Sequence, residues 1–265
     1  TMGSGILIVP EKSALSYSEY PLLANSRFSA VLRTDNGLIL CGGVGTGLLV
    51  FNPIKKELSC LFPESDVLAL AETPEHYLIG NSTGFRRLRK TDLSEADAFT
   101  GLGKVVSFRY LQDGRLLIGC SGKGLWMLEP KKKPFVCTSP GSDPAFAYCI
   151  LPFAGQSNLV VSNTGLWKFR PGTAMMEKLQ VPDSLDSPFF LGTRDVYGNY
   201  WFSGTDGLVC LRGGAWARIG LRNGLSSSLI YTLNADSTGN LWVGSSKGLD
   251  KITVDRSGRA LKISN

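Results

Sequence analysis

Short runs of apolar residues follow one another along this chain, each cut off by a break rich in glycine, aspartate or asparagine. The stretch from Val105 shows the pattern. Val105–Leu111 (VVSFRYL) is rich in β-branched and aromatic residues, which suit a strand. Gln112-Asp113-Gly114 reads as a tight turn, with Asp-Gly supplying the positive φ of a hairpin. Arg115–Cys120 (RLLIGC) is a second strand, apolar at successive positions and so expected to be covered on both faces. Ser121–Gly124 turns again, and Leu125–Pro130 (LWMLEP) is a third strand that proline ends. Lys131–Lys133 form a polar tip, and Pro134–Thr138 is a shorter fourth strand. The unit is an antiparallel meander of four strands joined by hairpins.

This unit recurs. A glycine closes the second turn of each copy at Gly47, Gly84, Gly124, Gly165, Gly207 and Gly248, spaced by 37 to 42 residues. The last copy is the cleanest (Asp236–Leu249, DSTGNLWVGSSKGL), and Asp195–Leu208 repeats it (DVYGNYWFSGTDGL). Six copies of a four-stranded meander at this period predict an all-β fold, a β-propeller, because radial closure hides the apolar faces an open stack would expose. Residues 5–18 align with the third and fourth strands of a further blade. The expectation is therefore one propeller domain over residues 1–265, with six full repeats and an N-terminal half blade. It would be a fragment of a longer protein whose intact ring has seven blades, the alternative being a self-contained six-bladed ring.

The recurring residues have structural reasons. Gly37, Gly114, Gly198 and Gly239 fall in the first hairpin turn, where φ is positive. Trp201 and Trp242 follow three residues after the last two, on the second strand, where a large ring can pack against the next blade. Composition changes little in this picture. The 28 basic and 22 acidic residues give a net charge of +6, scattered rather than gathered into a nucleic-acid footprint. The two basic clusters, Arg86 to Lys90 and Lys131 to Lys133, read as a solvated strand and a hairpin loop. The six cysteines (Cys41, Cys60, Cys120, Cys137, Cys149, Cys210) have no metal-site or redox spacing and read as buried thiols. No run of 18 apolar residues appears.

Catalytic constellations are sparse. The single histidine, His76, lies between the first two strands of the second copy, away from any nucleophile on the opposite face. Metal-assisted chemistry would need histidines or clustered carboxylates on the channel-lining strands, and these are few. A sialidase-type Asp box fails on spacing, and Gly42–Gly47 joins two strands rather than opening a helix over a phosphate. The expectation is no enzyme activity, no metal and no cofactor, leaving binding. Candidate ligand residues lie at the first strands: Arg33, Arg109, Tyr110, Tyr148, Arg194 and Tyr231. Arginine forks match carboxylates, and tyrosine both stacks and hydrogen-bonds, so the set suits an acidic or hydroxylated ligand. The loop positions Asn81–Thr83, Lys123, Asn163, Asp206 and Lys247 are expected to share one face.

Asn223–Ile252 (NGLSSSLIYTLNADSTGNLWVGSSKGLDKI) resembles the two-component regulator propeller repeat, which runs Gly-Leu, a small polar pair, a strand, then Asp-x-x-Gly-x-Leu-Trp-Ile-Gly-Thr-x-x-Gly-Leu. The fifth copy keeps Asp195, Gly198, Trp201 and Gly207 but has Ser203 for a family glycine, and earlier copies keep mainly the period. The resemblance implies the periplasmic or extracellular sensor part of a membrane-anchored bacterial regulator, with an oligosaccharide as ligand; the arginines and tyrosines above extend the expectation to a small acidic ligand. It implies as partners the other domains of the parent regulator, and a second copy through them, but not nucleic acid. A protein-interaction scaffold on a secretion-associated surface protein is the alternative. The family motif is structural, so it assigns no ligand residues.

Overall fold

The computed structural model describes residues 7–8, 15–16, 20–24, 26–130, 132–137, 145–173 and 175–264. Among them the chain forms six four-stranded sheets, in each of which neighbours in sequence are neighbours in the sheet. This is the all-β propeller architecture expected from the repeat. Blade one comprises Ala30–Arg33, Ile39–Gly43, Gly47–Asn52 and Glu57–Leu61, and blade two Ala69–Glu72, His76–Gly80, Gly84–Arg89 and Glu95–Thr100. Blade three comprises Lys104–Tyr110, Leu116–Ser121, Gly124–Leu128 and Phe135–Val136, and blade four Cys149–Phe153, Ser157–Ser162, Gly165–Arg170 and Met175–Lys178. Blade five comprises Gly192–Arg194, Tyr200–Gly204, Gly207–Arg212 and Ala215–Ile219, and blade six Ile230–Ala235, Asn240–Ser245, Gly248–Val254 and Ala260–Ser264. Of the expected half blade, Leu7–Ile8 and Leu15–Ser16 pair antiparallel, and the rest of residues 5–18 lies outside the described residues. So do Lys131 and Thr138 of the third copy.

Contacts divide the chain into two compact units, residues 1–123 with 127–135, and residues 124–126 with 136–265. In the first, Leu40, Leu48 and Val50 of blade one pack with Val67, Tyr77, Ile79 and Leu88 at blade two. In the second, Leu159, Val161 and Leu166 of blade four pack with Phe189, Phe202, Val209 and Leu211 at blade five. Trp201, Leu208 and Cys210 of blade five pack in turn with Leu233, Leu241, Val243 and Ile252 of blade six. Blade five is packed on both faces, Phe202 and Val209 with blade four and Trp201 and Leu208 with blade six, which is why its second strand reads as a continuous apolar run. Burying Trp201 completely contributes about 3 kcal/mol through lost water contact.

The turn residues do what their chemistry predicts. Gly239 has φ +88°, and a Cβ there would lie 2.9 Å from the Tyr197 hydroxyl of the preceding blade's first hairpin. Gly84 opens a third strand so close to the fourth that a Cβ would sit 1.8 Å from the Phe99 carbonyl oxygen.

Candidate functional site

The residues that recur between repeats are taken up by the scaffold. Asp236 Oδ1 accepts from the Thr238 and Asn240 backbone N–H groups, each at 2.9 Å, and from the Thr238 hydroxyl at 2.8 Å. Its Oδ2 accepts from Asn240 Nδ2 and Trp242 Nε1, both at 2.9 Å. Partial burial pushes the Asp236 carboxyl up, but these bonds to the ionised form outweigh it and hold the group well below the usual carboxylate range. Asp195 repeats the arrangement with Tyr197, Asn199 and Trp201. The Ser226-Ser227 pair before blade six is also structural. Ser226 donates its N–H at 3.0 Å and its hydroxyl at 2.6 Å to the fully buried Asp250. Ser227 shares a 2.8 Å hydrogen bond with Ser246. Asp250, which sequence reasoning did not single out, is thus the anchor that the serines serve.

The basic cluster of blade two is held by partners on its own sheet and on blade one. Arg86 pairs with Glu95 at 2.5 Å, Arg87 forks onto Asp97, and Arg89 donates to Ser94 Oγ at 3.0 Å. Lys90 bridges Glu72 at 2.6 Å and Asp35 at 2.9 Å. His76 begins the second strand of blade two, its backbone tied to Thr73, and burial followed by the Arg87 charge lowers its pKa. Among the described residues no three His, Cys, Asp or Glu side chains converge in a way that could hold a metal ion. Cys41, Cys120 and Cys210 are buried thiols, pushed up to about 12 by burial, which makes them poor nucleophiles. Cys149, pushed up to about 11 by burial, donates to the Gly192 carbonyl at 3.3 Å, while Cys60 is half-buried.

The ligand candidates fall at two opposite ends of the first strands. In the first unit, Arg33 closes the first strand of blade one, and Arg109 and Tyr110 close that of blade three, beside the first hairpin. Arg109 Nε is buried without a hydrogen-bond partner, and Tyr110 is exposed over the Gly114 turn. In the second unit, Arg194 also closes its strand, with its guanidinium 5.6 Å over the Tyr200 ring and against Gly198. Tyr148 and Tyr231 lie instead where first strands begin. The structure therefore does not gather Arg194 with the two tyrosines.

What surrounds Tyr148 and Tyr231 is more informative. The Tyr148 ring lies 5.7 Å from Phe146 and 5.6 Å from Phe190, centroid to centroid. Phe190, which precedes the first strand of blade five, is 44% exposed. The first strands of blades four, five and six neighbour one another in order. Tyr231 is the extra residue of a β-bulge: Ile230 faces Ser245 and Thr232 faces Gly244, leaving Tyr231 unpaired and 46% exposed. A bulge re-aims a side chain, here an aromatic one at the strand's start. Three successive blades thus present Tyr148, Phe190 and Tyr231 at equivalent positions. Phe146 and Phe190, just before the first strands of blades four and five, were not among the candidates read from the sequence. The signal was there in AFAYC, SPFFLG and SSSLIYT, each with an aromatic residue next to a first strand.

Residues 224–247 match the model of the family described as two-component regulator propeller. The sixth blade carries that repeat. No curated protein matches the chain. Among solved structures, the chain is similar to the extracellular domain of BT4673 from B. thetaiotaomicron, described as part of a one-component or hybrid two-component system, with TM-scores of 0.79 and 0.78 at 18% identity. That likeness covers 94% of this chain, which spans only 36% of the longer molecule in the first case. The virginiamycin B lyase of Staphylococcus aureus is similar at TM-score 0.73 and 9% identity, over 89% of this chain and 83% of the lyase. An ancestral GH74 enzyme is similar at TM-score 0.68 and 13% identity, over 89% of this chain and 38% of the enzyme. At these identities the likenesses establish the propeller fold. No helix among the described residues is long and apolar enough to cross a membrane.

Proposed function

We propose that this chain is a non-enzymatic ligand-sensing propeller of an extracytoplasmic signalling regulator, and that its second unit holds an oligosaccharide. The match of residues 224–247 to the regulator propeller carries the first part. The similarity to the extracellular domain of BT4673 points the same way. Propellers also carry enzymes, so the non-enzymatic reading rests on residues. One lyase structure similar to this chain is of a form made catalytically inactive by replacing a histidine with alanine. The only histidine here opens a hairpin-bound strand in blade two.

The ligand reading rests on Tyr148, Phe190 and Tyr231. Aromatic rings at equivalent positions of successive blades, Phe190 and Tyr231 exposed and Tyr148 half-buried, offer sugar rings flat apolar surfaces, with tyrosine hydroxyls for their edges. Binding would signal by changing how the propeller packs on its neighbouring domains. Isothermal titration against a panel of neutral and uronic-acid oligosaccharides tests this. Saturable binding that weakens about tenfold in Tyr231→Ala supports it. Heatless titrations across the panel, with a tight protein partner recovered instead, would favour the scaffold reading.

A further inference from the structure

Phe190 stands between Tyr148 and Tyr231 in blade order, and the backbone around it is tied to two blades. On the side of blade four, the Phe189 N–H donates to the Ser162 carbonyl at 3.2 Å, and the Gly192 carbonyl accepts from the Cys149 thiol at 3.3 Å. On the side of blade five, the bonds go to Ser203. The Ser203 N–H donates to the Leu191 carbonyl at 3.1 Å, and the Phe190 N–H donates to the Ser203 carbonyl at 3.4 Å. The Leu191 N–H donates to the Ser203 hydroxyl oxygen at 3.1 Å. Ser203 itself is buried.

The other blades have the same register position. The Ser29 N–H donates to the Gly42 carbonyl at 2.9 Å, that of Leu68 to Gly80 at 2.8 Å, and that of Tyr148 to Val161 at 2.9 Å. In blades three and six the first strand bulges at this point, opposite Gly119 and Gly244. Of the residues opposite (Gly42, Gly80, Gly119, Val161, Ser203 and Gly244), Ser203 alone has a polar side chain.

That hydroxyl decides which N–H the strand accepts. Phe190 and Leu191 both direct an N–H at Ser203, which has one backbone carbonyl. With the hydroxyl taking the Leu191 N–H, the carbonyl is left to Phe190. An N–H facing a neighbouring strand needs an acceptor. Without the hydroxyl, Leu191 would compete for the carbonyl, and the longer bond from Phe190 would yield to it. The Phe190 ring would then leave its place 5.6 Å from the Tyr148 ring.

We propose that Ser203 is a positioning residue of the ligand surface, its hydroxyl holding Phe190 in the aromatic set that meets the sugar. The consequence for binding rests on the oligosaccharide reading above, whereas the positioning of the ring does not.

The test places 4-fluorophenylalanine at residue 190 alone and reads its fluorine resonance without glycan, alongside isothermal titration with the panel of neutral and uronic-acid oligosaccharides. Ser203→Ala should shift or broaden the resonance, and Ser203→Thr, which keeps a hydroxyl, should restore it. For any oligosaccharide in the panel that the wild type binds, Ser203→Ala should weaken binding about fivefold. It should weaken it no further once Phe190→Ala is present, because the hydroxyl acts through that ring. A residue serving stability alone would lower the melting temperature and move neither readout. An unchanged resonance in Ser203→Ala, no restoration by Ser203→Thr, or equal weakening with and without Phe190 would overturn the proposal. If no oligosaccharide in the panel binds, the ligand reading fails by itself, and the resonance still decides for or against Ser203.

Discussion

In blade six one carboxylate gathers the first hairpin: Asp236 takes up two backbone N–H groups, a hydroxyl, an amide and an indole, all within seven residues of chain. At the same place in blade two, Thr73 to His76, Thr73 stands where blade six has Asp236. Thr73 closes the turn with its own hydroxyl, at 3.0–3.1 Å from the His76 backbone. The fastening is done by Lys90, which reaches Glu72 and, on blade one's first hairpin, Asp35. Its ammonium lies 5.6 Å over the buried Tyr77 ring, whose hydroxyl has no hydrogen-bond partner. Both blades are thus tied to the blade before them. Blade six does it by packing Gly239 on Tyr197, blade two by an ion pair spanning 55 residues of sequence. A motif can fade from a repeat without loss of fold when a long-range contact replaces a local one.

Substitutions sharpen this contrast. The largest expected effect is Trp201→Ala, which empties a fully buried site between blades five and six and strands Asp195 without its indole partner. A loss of about 4 kcal/mol in chemical denaturation is expected. Asp236→Ala should cost about 2 kcal/mol, leaving the Trp242 and Asn240 donors unpaired. Its pH dependence has a definite sign. Because the folded state holds Asp236 below its unfolded value, its contribution is present above about pH 4 and declines as pH falls toward the folded value. Asp236→Asn should therefore flatten the acid limb of the stability profile relative to wild type. Lys90→Met should cost about 1 kcal/mol and, unlike Asp236→Ala, should lose most of its effect in molar salt. If instead the Asp236 and Lys90 variants share one salt response, the distinction between the two fastenings fails. Smallest is Glu95→Gln, a partly exposed partner of Arg86, which should shift stability by less than about 0.5 kcal/mol.

The repeat made the scaffold readable because its periodicity, turn glycines and strand residues are local signals that agree with one another. The second strand of blade three, read from RLLIGC as covered on both faces, is buried along nearly its whole length. The fourth strand of blade three, expected over Pro134–Thr138, runs over Phe135–Val136, with the Cys137 N–H donating to the Leu125 carbonyl at 2.8 Å and Thr138 outside the described residues. The basic run from Arg86 to Lys90 looked like a solvated strand, yet it pairs with acids up to 55 residues away, which no local pattern reveals. The ligand candidates were the least legible part. Arg194 and Tyr231 occupy first strands alike in sequence pattern, but direction along the strand puts them at opposite ends. The bulge at Tyr231 depends on Gly244, where a Cβ would lie 2.4 Å from Thr232 Cγ2, so the aromatic position is set by a close approach between strands.

The central claim is that the repeat's fixed residues hold the scaffold while aromatic residues at the start of the second unit's first strands meet the ligand. Thermal melting and glycan titration run side by side on Asp236→Ala and Tyr231→Ala test it most directly. The account predicts a crossed result: Asp236→Ala melts several degrees lower but binds the glycan with wild-type affinity while folded, and Tyr231→Ala melts as wild type but binds about tenfold more weakly. Lost glycan binding in Asp236→Ala at an unchanged melting temperature, with Tyr231→Ala binding normally, would contradict it.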